Sequence, residues 1–126
     1  SFIGGTIDAA SEANERAHGK RLRSELIDTF HRMNNLPQQI SNAALEGFLQ
    51  KATALIPQLA NWSTDGSIKM GNELQRRARF EFDFNQSESY ALWLTGAWLE
   101  SRSRETEDAK FVQSTLEHFL RQHIRP

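Results

Sequence analysis

Apolar residues recur at helical spacing through most of this chain, and beyond about residue 60 the period changes. From about residue 8 to Met33 no proline interrupts. Ala9, Ala10, Ala13 and Ala17 are followed by Leu22, Leu26, Ile27, Phe30 and Met33, a stripe on one face of a helix. Thr6 or Asp8 is placed to cap it, and Gly19 weakens its middle. Asn34-Asn35-Leu36-Pro37 ends it, because proline disfavours α geometry in the residue before it. A second helix is expected from Gln38–Ser41 to about residue 60, through Leu45, Phe48, Leu49, Ala52, Leu55, Ile56 and Leu59. Pro57 ends or kinks it.

Beyond Asp65-Gly66 the pattern reads as extended chain. Ile68 and Met70 alternate with polar neighbours up to Gly71-Asn72. A second strand is expected from about Leu74 to Phe84, and from Arg77 onward its alternation is strict: Ala78, Phe80, Phe82 and Phe84 against Arg77, Arg79, Glu81 and Asp83. This predicts an antiparallel hairpin with a bulged turn, its phenylalanines turned inward. Laid against a copy of itself about Phe80, the second strand sets Arg77 opposite Asp83 and Arg79 opposite Glu81. The hairpin thus extends to four strands across a homodimer, with the charges fixing register.

Ser87 is placed to cap a central helix over 88–100, apolar nearly all round (Tyr90, Leu92, Trp93, Leu94, Ala97, Trp98, Leu99). Residues 100–108 are polar and read as a loop or an exposed turn. Thr106 caps a last helix carrying Phe111, Val112, Leu116, Phe119, Leu120 and Ile124. The expected fold is α+β and predominantly helical, in the order α-α-β-β-α-α. The hairpin packs on helix 88–100, which the terminal helices flank.

Length and charge narrow the function classes. The 126 residues fit one domain, 1–126, and the formal net charge of −1 excludes a strongly basic nucleic-acid binder. There are no cysteines, which removes disulfides and thiolate metal sites. No run of 18 apolar residues occurs, so no membrane span is expected. The chain opens on Ser1, compatible with a removed leader, and a cytoplasmic location is the default expectation.

Candidate chemistry is thin. Glu81 and Asp83 share a strand face, but the flanking arginines keep both ionised, which suits structure better than acid–base work. His18, His31, His118 and His123 lack metal-ligand spacing; no metal and no cofactor is expected. No Gly-x-Ser-x-Gly elbow is present, and Gly4-Gly5-Thr6 lacks the rest of a phosphate loop. The chain reads as no enzyme. Trp93 and Trp98 point to different sides of one helix, so one suits the core and the other an interface.

The best reading is a small soluble regulatory protein, adaptor- or immunity-like, that binds another macromolecule as a homodimer. Its interface residues are Arg77, Arg79, Phe80, Glu81, Asp83, Trp93 and Trp98. One alternative is a nucleic-acid-binding regulator using Arg16, Lys20 and Arg23 with Arg76, Arg77 and Arg79. Another is a small-ligand binder or enzyme with an aromatic pocket.

Overall fold

A computed structural model describes residues 9–81, 84 and 86–123. Five α-helices follow in order: α1 (Ala9–Asn34), α2 (Gln38–Leu55), α3 (Thr64–Phe80), α4 (Ser87–Arg102) and α5 (Glu107–His123). A 3₁₀ segment, Ile56–Asn61, continues α2. No strand occurs among the described residues, so the expected α+β fold is replaced by an all-helical one.

The first two helices follow the apolar stripes. Leu22, Leu26 and Met33 of α1 are buried, as are Ala44, Phe48, Leu49 and Ala52 of α2. Pro37 separates the two helices, and Ser41 Oγ donates to Met33 O at 2.6 Å, tying the end of α1 to the first turn of α2. At Pro57 the missing N–H and the ring stop the α ladder, and the backbone tightens into the 3₁₀ segment. Gly19 is buried rather than merely permissive: a Cβ there would strike the Thr106 hydroxyl. The proposed caps Thr6 and Asp8 lie outside the described residues.

The hairpin is the main correction. Residues 64–80 form α3, which runs through both expected turns and most of the expected second strand. Its buried face is Ser67, Gly71, Gln75 and Ala78, a helical stripe of small and polar residues. Charges of this segment pair along the helix at i,i+3 or i,i+4, Asp65 with Lys69, Glu73 with Arg76 and Arg77 with Glu81, while Arg79 reaches Glu25 of α1. Phe80 ends α3 and is 75% exposed, not core. Phe82 and Asp83 lie outside the described residues. Phe84 has left the helix at φ 51°, an uncommon value for an aromatic residue; its ring packs 5.5 Å from Tyr90.

Ser63, not a strand residue, opens this helix: its Oγ accepts from Gly66 N at 3.0 Å. Ser63→Ala is expected to cost about 1 kcal/mol, read as a lower urea midpoint at unchanged slope.

Helix α4 is the axis of the molecule, packed by all four other helices. Every residue from Ser89 to Ser101 is buried. Trp93 and Trp98 are both enclosed, so neither is the surface anchor that their spacing predicts. Buried hydroxyls turn back to the backbone: Thr95 Oγ1 donates to Ala91 O at 2.7 Å and Ser101 Oγ to Trp98 O at 2.9 Å. Ser87 is the first helical residue rather than the cap; Gln86 holds that position without a side-chain bond. Residues 103–106 form the short link, and Thr106 Oγ1 caps α5 by accepting from Ala109 N at 3.2 Å.

Helices α3 and α4 approach closely at two glycines. A Cβ on Gly71 would lie 2.6 Å from Gly96 O, and one on Gly96 would lie 2.5 Å from Gly71 O. The two glycines let the backbones meet directly, which sets how deep the polar stripe of α3 sits against α4.

Candidate functional site

That approach delivers Gln75 to Glu100, and a chain of ion pairs begins there. Glu100 is fully buried near the end of α4. Arg21 of α1 sends Nη2 to both carboxylate oxygens, at 2.9 and 3.0 Å. Gln75 Nε2 of α3 donates to Oε1 at 2.8 Å, and Arg104 Nε donates to Oε2 at 2.7 Å from the link after α4. Outward on one side, Arg104 Nη1 donates to Glu15 at 2.6 Å. On the other side, Arg21 Nη1 reaches Glu25 at 3.1 Å and Gln75 Oε1 at 3.2 Å, and Arg79 Nη1 reaches Glu25 at 2.8 Å.

The order Glu15–Arg104–Glu100–Arg21–Glu25–Arg79 alternates in sign and sums to zero. Burial by itself would push the Glu100 carboxyl up. The Gln75 hydrogen bond and the guanidinium groups of Arg21 and Arg104 outweigh it and hold the carboxyl below its usual range. For Arg21, burial opposes the charge, and Glu100 and Glu25 more than restore it, leaving its value raised.

Chemically this assembly is closed. Each Glu100 oxygen accepts two strong bonds, and a carboxylate so held neither takes up a proton near neutral pH nor faces open space. General-base chemistry needs the opposite: a raised pKa beside a cleft. The chain of pairs orients four parts of the backbone.

The expected interface residues are scattered by the helical α3. Arg77 pairs with its own Glu81 at 3.3 Å and Arg79 with Glu25 at 2.8 Å, so the charges meant for a partner strand are satisfied within the chain. The strand-based twofold register therefore has no counterpart. Of the residues proposed for nucleic acid, Arg16 sits 3.9 Å from Glu12 and Arg76 is 2.6 Å from Glu73. Arg23 is 3.4 Å from Asp108, with its guanidinium 4.1 Å from the centre of the Phe111 ring. Among the described residues only Lys20 of that set has no carboxylate within ion-pair distance. No group of three metal-ligating side chains occurs among the described residues, and none of their helices is long and apolar enough to cross a membrane.

An open depression of about 580 Å³ lies where the 3₁₀ segment, α4 and α5 meet. Ile56, Leu59, Ala60, Leu120 and Trp98 supply its apolar walls; Arg102, Glu117 and Arg121 supply its polar ones. The 3₁₀ segment that begins around Pro57 builds one side, contributing Ile56, Leu59 and Ala60. Ile56 remains 42% exposed at the rim. Arg102 lies 5.3 Å from the centre of the Trp98 ring and is held by Glu117 at 3.2 Å. This size falls in the range of ligand sites, and apolar walls with a few charged groups are their usual make-up.

Sequence reasoning missed Glu15, Arg21, Glu25, Gln75, Glu100 and Arg104. One signal was present: Glu100 closes the most apolar run of the chain, where an unpartnered carboxylate is costly. The depression was foreshadowed only through Trp98.

Among the described residues the fold is all-helical, with an apolar core and an ion-pair chain centred on the buried Glu100. No family model matches it, nor does any curated protein or solved structure.

Proposed function

We propose that this protein is a non-catalytic binding module that acts through another macromolecule, with the depression between the 3₁₀ segment, α4 and α5 as its contact surface. The observation that carries this reading is that depression: open, apolar-walled, rimmed by the exposed Ile56 and by charged side chains. The saturated state of the buried Glu100 carboxylate supports it, since that group is committed to holding helices together.

The partner is a different chain. Arg77 and Arg79, which a strand-paired dimer needs for its mate, pair internally. Light scattering at high micromolar concentration is expected to give the monomer mass of 14.4 kDa. A photo-crosslinking residue at Ile56 is expected to trap one discrete partner in extracts of the cells that make the protein. The same group at Lys69, exposed on α3, is expected to trap none. A stable dimer, or equal trapping at both positions, overturns the reading.

A further inference from the structure

The charge of the depression points to what it takes. Its lining holds two guanidinium groups and one carboxylate, a net charge of +1. Glu117 is occupied: it accepts from Arg102 at 3.2 Å and from Gln113 at 3.3 Å. Arg102 is occupied too, between Glu117 and the Trp98 ring. Arg121 has no carboxylate within ion-pair distance among the described residues, and it is exposed at the rim. Trp98 forms part of the wall from beneath; its indole N–H is buried and has no acceptor among the described residues. Apolar walls and an exposed arginine that, among the described residues, has no carboxylate partner describe a receptor for an apolar group carrying negative charge.

Resting on the binding-module reading above, we infer that the occupant is an acidic amphipathic helix of a partner protein. Its apolar stripe lies against Ile56, Leu59 and Leu120, and a flanking carboxylate meets Arg121. A helix suits an open depression walled by helical segments, as in other helix-in-groove recognition. The charge acts chiefly on specificity, because rim pairs select among partners more than they add affinity.

The test uses the full chain and three synthetic amphipathic peptides. All carry leucines at i, i+3, i+4 and i+7, flanked by Glu in the first, Gln in the second and Lys in the third. Binding is read from the indole N–H signal of Trp98, identified by its loss in Trp98→Phe, and from the dissociation constant. The Glu peptide is expected to bind about tenfold tighter than the Lys peptide, with the Gln peptide between them. Arg121→Glu, an exposed substitution that leaves the fold intact, is expected to invert that order. Ile56→Lys is expected to abolish binding of all three. Equal binding of the three peptides, or a preference that Arg121→Glu does not change, overturns the acidic occupant. If no peptide binds while the Ile56 crosslink persists, the occupant is of other chemistry and the module reading stands. If both fail, both readings fall.

Discussion

Glu100→Ala is expected to cost about 3–5 kcal/mol, a large share of the stability of a domain this size. The loss does not equal the worth of the ion pairs. It comes from leaving Arg21 and Arg104 facing a cavity with their main acceptor gone. Arg104 is the more exposed to this penalty in energetic terms, because its side chain is almost fully enclosed, whereas Arg21 is partly hydrated. Replacing all three by apolar residues, Glu100→Leu with Arg21→Met and Arg104→Met, is expected to sit nearer the parent than Glu100→Ala alone. Urea denaturation of both variants checks this. A triple variant less stable than the single one would mean that the pairs themselves, not the orphaned cations, dominate.

Acid offers an independent check on the same group. The native carboxyl titrates below its ordinary value, so its contribution is complete above that value and is lost as pH falls through the depressed native one. Glu100→Gln removes this dependence. The stability gap between parent and Glu100→Gln is expected to be widest at neutral pH and to narrow below about pH 4. A gap that stays constant through that range would mean that the Glu100 carboxyl titrates alike in the folded and unfolded chains.

Gly96→Ala is the second large effect. In an open helix, glycine to alanine stabilises by about 1 kcal/mol. Here the new Cβ meets Gly71 O at 2.5 Å, Leu74 Cβ at 2.9 Å and Gln75 N at 3.0 Å, two of them backbone atoms that cannot swing aside. Separation of α3 from α4 is the remaining outlet, and it also stretches the Gln75–Glu100 bond. A net loss of about 2–3 kcal/mol is expected. Gly71→Ala should behave alike, and the double variant should lose less than the sum, since both disrupt one crossing. Gly66→Ala is the control, its nearest neighbour being only the Ser63 hydroxyl at 3.1 Å.

Where a helix announced itself through apolar periodicity, sequence reasoning located it well. The stripe of α1, the break at Pro37, the kink at Pro57 and the all-round apolar α4 were legible because each rests on one dominant local term. Helix α3 was not legible. Its buried face is Ser67, Gly71, Gln75 and Ala78, so the inward stripe looks polar, and the apolar alternation of residues 78–84 mimics a strand. The charged pattern misled for a related reason: spacings of three and four residues close within a helix, while their odd-numbered positions also align on one strand face. The ion-pair chain was hidden because its members lie far apart in sequence, Arg21 from Glu100 and Glu15 from Arg104. Only the oddity of a carboxylate at the end of an apolar helix marked one of them.

The enclosure of α4 also has a kinetic meaning. With Ser89–Ser101 covered on every side, no small local opening exposes the amides of that helix. Their hydrogen exchange in heavy water should proceed only through rupture of the whole domain, at a common free energy equal to that of global unfolding. The outer turns of α1 and α5 should exchange sooner. The slowest protons in the molecule would thus trace a single central rod.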